Sequence, residues 1–216
     1  MKKGDCVKID YIGKLESGEI FDLTNEELAK KENIYNEKMK YKPVPIIVGA
    51  GFVIPGLDKA LLEMNVGEKK QIKIQPEKGF GQRNPALVKV VPRNSFKEKF
   101  EPRQGMVVDF SGIKGRIQSV SAGRIMVDFN NPLAGKALLY ELEIKEKIDD
   151  DNQKIKSIFE FFGIEKLETK INNDVVDIEV KVPEQLKEKI SSLIIENIKP
   201  ANKDLQKVRF IDVYSK

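Results

Sequence analysis

Any chemistry carried out by this chain has to work without histidine, since none occurs among its 216 residues, and the only thiol is Cys6. Imidazole is the usual general base near neutral pH and the commonest metal ligand. Serine-histidine and cysteine-histidine catalysis are therefore excluded. A zinc site built from clustered cysteine and histidine goes with them, and neither a metal nor another cofactor is expected. Cys6 has only the weak perturbers Lys2 and Lys3 nearby and reads as a small apolar residue without chemistry of its own. An enzyme of this composition would favour a reaction in which no covalent bond breaks. Taken singly, Phe21, Val53, Leu57, Phe80 and Tyr140 are what any core would use, and Asp22 reads as a turn residue after a strand.

The elements that would position such residues follow from periodicity. Residues 7–12 alternate apolar and polar, and the chain turns at 16–19 to return through Ile20 and Phe21, which predicts a hairpin. Residues 23–41 are rich in Lys, Glu and Asn with weak helical spacing, so a loop with one or two helical turns is expected before a strand at 46–48. Pro55 opens a short helix that sets Leu57, Leu61 and Met64 on one face. Residues 69–74 alternate again. Four short strands at 87–91, 106–110, 115–120 and 124–129 predict a small all-β module, and 138–145 a further strand. The acidic run Asp149-Asp150-Asp151 reads as a boundary, because like charges resist packing. Beyond it the pattern gives a helix at 154–162, a hairpin through 170–182, a helix at 183–197 and a last strand at 208–213.

The composition, 40% hydrophobic and 33% charged, is that of a globular chain. One cysteine and an N-terminus without an apolar signal core point to the reducing cytoplasm. No run approaches the roughly 18 apolar residues of a membrane span, so no membrane role is expected.

Three motifs stand in fixed order: Asp10-Tyr11-Ile12-Gly13 with Gly18-Glu19-Ile20-Phe21-Asp22, then Gly49-Ala50-Gly51-Phe52-Val53-Ile54-Pro55-Gly56-Leu57, then Val66-Gly67-Glu68 with Gly79-Phe80-Gly81. Together they resemble the FKBP-type peptidyl-prolyl cis-trans isomerases. The match breaks and returns at Leu133-Ala134-Gly135, as in SlyD-like members of the long archaeal type, whose catalytic domain is interrupted by an insert-in-flap module. The resemblance covers about residues 1–148. It implies an α+β fold, a half-open antiparallel β-sheet around one short helix, interrupted by a small all-β insert and followed by a small α+β C-terminal domain. The implied domains are 1–84 with 131–148 for catalysis, 85–130 for the insert and 149–216 at the C-terminus. Carried over by motif position, the catalytic pocket is Tyr11, Phe21, Asp22, Val53, Ile54, Leu57, Phe80 and Tyr140, with Leu57 where many eukaryotic relatives have tryptophan. The Ile54 N–H is at the family position that donates to the substrate carbonyl. The implied activity is isomerisation of X-Pro bonds.

Residues 83–130 hold nine Lys or Arg against four acidic residues, a net +5 that exceeds the whole chain's +4. The simplest reading is solubility for an apolar module; a sharper one is attraction to nascent chains or to the ribosome. A module of about 45 residues buries little, so part of its apolar set is expected to face solvent and bind unfolded chains: Val90, Phe96, Phe100, Met106, Phe110 and Ile113. The expected partners are unfolded or nascent proline-containing polypeptides. A surplus face on the 183–197 helix would suit a homodimer through the C-terminal domain. That domain carries none of the pocket motifs, so its removal is expected to spare activity. The competing function is a non-enzymatic holdase or a ribosome-associated factor.

Overall fold

The alternation at 7–12 becomes one long strand, β1 (Cys6–Leu15). The computed structural model describes residues 1–96, 101–110, 112–121, 123–199 and 204–211. After β1 come β2 (Ile20–Leu23), α1 (Glu26–Lys31), β3 (Val44–Ile47), α2 (Pro55–Leu62) and β4 (Lys69–Ile74). Next are β5 (Val88–Pro92), β6 (Val107–Phe110), β7 (Ile113–Ser121) and β8 (Arg124–Asp128). The chain then runs through β9 (Leu138–Ile148), α3 (Asp151–Phe161), β10 (Glu168–Asn172), β11 (Val175–Glu179), α4 (Glu184–Asn197) and β12 (Lys207–Ile211). This is an α+β architecture with mostly antiparallel pairing. The chain divides into two compact units, Met1–Ile74 with Ala137–Lys216, and Gln75–Lys136.

In the first unit β9 pairs antiparallel along all of β1, from Cys6 opposite Ile148 to Leu15 opposite Leu138. On its other edge β1 is shared: β3 takes the first half, with Cys6 opposite Ile47, and β2 the second, with Ile12 opposite Leu23. β4 closes the other side on β9. Ile9, Leu15, Leu138, Leu142 and Ile144 are buried along these strands, as are Leu57, Ala60 and Leu61 of α2. Pro55 starts α2, where a missing N–H costs nothing and its φ is preset. The helix lies so close to β4 that a Cβ on Gly56 would stand 2.5 Å from Ile74 Cγ2.

The C-terminal elements do not stand apart from this sheet. Ile155, Ile158 and Phe159 of α3, Ile190 and Ile194 of α4, and Val176 and Ile178 of β11 form one core that also takes in Cys6 of β1 and Ile47 of β3. β10 pairs antiparallel with β11, while β11 and β12 run parallel, α4 being the crossover such a pair requires. The acidic run at 149–151 is a helix start: Asp150 caps α3 by accepting from the Gln153 N–H at 2.8 Å, and Asp151 pairs with Lys154 at 2.8 Å.

The second unit is a four-stranded sheet in the order β5-β8-β7-β6. Its core is Val108, Ile117, Ile125 and Val127, with Val91, Phe96, Phe110 and Phe129 against it. It extends beyond the expected 85–130 at both ends. Its stem is clasped where the Asn84 N–H donates to Asn130 Oδ1 at 2.8 Å and Asn130 Nδ2 donates to the Asn84 carbonyl at 3.0 Å. Among the described residues no helix is long and apolar enough to cross a membrane.

Candidate active site

The chemistry-bearing residues of the first unit gather around a glycine. Gly13 of β1 is opposite Asp22 on one side and Tyr140 on the other, and Tyr140 is in turn opposite Ile72. The register slips between Gly13 and Lys14, which pairs with Ile20, so Phe21 is the extra residue of a β-bulge. A bulge re-aims side chains, and here it lays Phe21 over the backbone of β1. A Cβ on Gly13 would be 2.7 Å from Phe21 Cζ and 3.1 Å from Tyr140 Cε1. Only a residue without a side chain admits both rings.

The rings meet at angles suited to aromatic pairs. Phe21 and Tyr140 are 5.7 Å apart, edge to face at 83°, and Tyr11 and Tyr140 are 6.0 Å apart at 58°. The Tyr11 hydroxyl donates to Asp22 Oδ2 at 2.9 Å, which orients the carboxylate along the rim. Thr24 pins this end of β2: its Oγ1 accepts from the Tyr11 N–H at 3.0 Å and donates to Asp10 Oδ1 at 2.8 Å. Burial, and then the Asp22 charge, push the phenols of Tyr11 and Tyr140 far above the ordinary tyrosine range. Both hydroxyls stay protonated at any working pH.

Val53 and Ile54 lie half-buried on the loop into α2, and Leu57 is buried on the first turn of α2. The loop is shaped from inside: Asp58 accepts from the Gly49 N–H at 3.0 Å and from the Gly51 N–H at 3.4 Å. Both glycines have φ near +75°, at +76° and +74°. The Ile54 carbonyl accepts from the N–H groups of Leu57 and Asp58, whereas the Ile54 N–H meets no acceptor among the described residues. The first unit thus brings Tyr11, Phe21, Asp22 and Tyr140 together. Phe80 belongs to the second unit, half-buried after the turn Pro76–Lys78, with the Gly81 N–H donating to the Pro76 carbonyl at 2.7 Å.

Gly13, Thr24 and Asp58 are the residues that reading by chemistry passes over. A glycine inside an alternating strand is the signal that could have found the first; nothing in the sequence marks the hydrogen bonds of the other two. A groove of about 360 Å³ beside this site is lined by Asp10, Tyr11, Ile12, Gln71, Glu141, Leu142 and Glu143. Its glutamates pair with Lys14 and Lys69. No group of three His, Cys, Asp or Glu residues able to hold a metal lies among the described residues.

In the second unit, Val90 and Ile113 are 58% and 62% exposed and Met106 is 37% exposed. Phe96 and Phe110 differ: they pack on the module's core with rings 5.2 Å apart, so neither is a free surface ring. Phe100 lies outside the described residues. Val107, Val120 and Met126 are exposed apolar residues that were not expected; Met126 sits directly opposite Val90 across β5 and β8.

Comparison with known proteins bears on both units. Residues 1–99 match the family model of the FKBP-type peptidyl-prolyl cis-trans isomerases, and residues 89–133 match that of the FKBP26 IF domain. A short-type peptidyl-prolyl cis-trans isomerase of Methanocaldococcus jannaschii is 40% identical over 147 residues, 68% of this chain and 93% of the relative. The FKBP-type isomerase SlyD of Helicobacter pylori is 34% identical over 52% of this chain and 63% of its own length. An FKBP-type 16 kDa isomerase of Escherichia coli is 31% identical over 49% of this chain and 74% of its own length.

Proposed function

Because the chain belongs to the FKBP-type peptidyl-prolyl cis-trans isomerases, we propose that it turns X-Pro bonds over the Gly13-centred aromatic site and holds unfolded chains on its β-rich insert. An X-Pro bond crosses a barrier of roughly 20 kcal/mol because the planar amide must lose its resonance on twisting. The twisted amide is less polar at its carbonyl than the planar one. A water-poor wall of Phe21, Tyr140, Leu57 and Val53 stabilises it relative to the solvated ground state, and each 1.4 kcal/mol of that difference is about tenfold in rate. The Ile54 N–H donates to the substrate carbonyl, and the Tyr11–Asp22 pair supplies polar contact at the rim. No proton moves, in keeping with a chain that has no histidine.

The observation that carries this reading is the pair of rings laid over Gly13 beside the Tyr11–Asp22 hydrogen bond. The exposed Val90, Met126, Val107 and Ile113 supply apolar contact for unfolded, proline-containing nascent chains in the cytoplasm. The test is protease-coupled isomerisation of a proline tetrapeptide, alongside binding of a permanently unfolded protein. Asp22→Leu should lower turnover at least tenfold and leave unfolded-chain binding intact, and Val90→Ser with Ile113→Ser should do the reverse. Unchanged turnover in Asp22→Leu would remove the site assignment.

A further inference from the structure

Phe52 precedes Val53 and Ile54 by one and two residues, and its ring does not point toward the aromatic site. It packs on the C-terminal core, 4.5 Å from the ring of Phe161 at an interplanar angle of 60°. Phe161 is the last residue of α3, is 37% exposed, and is backed by Phe162 at 5.5 Å. The other flank of β3 is tied to the same end of α3: Lys42 pairs with Glu160 at 2.5 Å and with Glu165 at 3.3 Å, and Lys40 pairs with Glu165 at 2.6 Å. Between these two anchors Ile47 is buried in the α3 core. The segment feeding the Val53–Ile54 loop is thus held before and after β3 by residues 160–165 and along β3 by the core of Ile155, Ile158 and Phe159, all beyond the stretches that match the family models.

We propose that the C-terminal end of α3 is a positioning element for prolyl isomerisation, Phe161 holding the Val53–Ile54 loop in place through Phe52. The bland alternative is a packing contact that only fastens the C-terminal elements down. Two features favour positioning. Phe161 is too exposed to contribute much to the core, and the chain it meets is the one whose N–H is set to orient substrate. Small displacements of a positioning group have large kinetic effects, up to about 10²-fold for 1 Å, whereas a partly exposed ring pair contributes little to global stability.

The inference rests on the site assigned above, so its test includes Asp22→Leu as a separate arm. Tetrapeptide kcat/KM and melting temperature are measured for Phe52→Ala, Phe161→Ala, the double variant, Phe161→Tyr and, as a control in the same domain, Ile211→Ala. Phe161→Ala should lower kcat/KM about three- to tenfold with little change in melting temperature. The double variant should be no worse than the poorer single one, because the two rings act as one device. Phe161→Tyr should restore activity and Ile211→Ala should leave it unchanged. Wild-type activity in Phe161→Ala, or single effects that simply multiply, would overturn the proposal. If Phe52→Ala does not fold, the comparison of Phe161→Ala with Phe161→Tyr decides alone. A drop in Asp22→Leu without one in Phe161→Ala defeats only this inference; no drop in Asp22→Leu defeats the site as well.

Discussion

Gly13 shows how a residue with no functional group can govern a site. Its Cα–H leaves the space in which Phe21 and Tyr140 lie, and any Cβ would sit inside contact distance of both rings. Gly13→Ala should therefore cost about 1–3 kcal/mol of stability through overpacking, and tetrapeptide turnover should fall more than tenfold as the rings separate. A circular-dichroism melt and the coupled assay would check both. The motif order identified Tyr11, Phe21, Asp22 and Tyr140 as a group, but the bulge that turns Phe21 onto the same side as Asp22 depends on a register slip that alternation alone does not reveal. Cys6 offers a test of burial. It is fully buried, and desolvation pushes its thiol up to about 11, only partly offset by hydrogen bonding to Ser157. A raised acid pKa means that the folded state keeps its proton longer. The contribution is whole below pH 9 and is lost as pH climbs toward 11, amounting to about 2 kcal/mol. Denaturant titrations at pH 8 and pH 11 should show this loss, and Cys6→Ala should flatten it.

The loop between β3 and α2 is held in shape by α2 itself. Asp58 sits in the first turn, where a carboxylate also meets the positive end of the helix dipole, and it accepts from two glycine N–H groups at positive φ. Asp58→Ala leaves both donors to water. It should cost about 1–3 kcal/mol and lower kcat/KM about tenfold, because the same loop carries Val53 and Ile54. Unchanged kinetics would mean that the glycines hold the loop unaided. Periodicity and proline position were enough to find α2, the hairpin, the insert's strands and the helix α4, but not that α4 joins parallel strands. They were not enough for the run at 149–151. Clustered carboxylates read as a solvated boundary, yet at a helix start one of them caps N–H groups and the dipole favours the rest. A charge count does not distinguish these cases; the apolar spacing of Ile155, Ile158 and Phe159 just after the run does.

Motifs reveal membership and order, but not which surfaces of different elements cover one another. Cys6 and Ile47 look like ordinary strand residues, and only the fold shows that α3 and α4 bury them. The expectation that residues 149–216 can be removed without loss is therefore reversed. Their deletion would expose Cys6 and Ile47 and strip Phe161 from Phe52, so melting temperature and tetrapeptide turnover should both fall; a truncated protein equal to the full chain in both would restore the earlier view. The insert should behave differently. Its stem is closed by paired hydrogen bonds between Asn84 and Asn130, continued by the Phe129 N–H donating to the Leu87 carbonyl at 3.0 Å. Entry and exit already lie side by side, so a short glycine-containing turn can replace Pro85 to Phe129. β4 and β9 pair outside that segment, from Lys69 opposite Glu143 to Ile74 opposite Leu138, and need nothing from it. Tetrapeptide turnover should then persist within about threefold, since tethering adds nothing for a substrate that diffuses freely into the site. Catalysed refolding of a proline-limited protein should fall by about 10²-fold if the insert captures unfolded chains as proposed, because tethered capture would otherwise raise the local substrate concentration to about the millimolar range. The two assays on one deletion variant separate the roles: loss of refolding alone means that the insert feeds the site, whereas equal loss of both would mean that it builds the site.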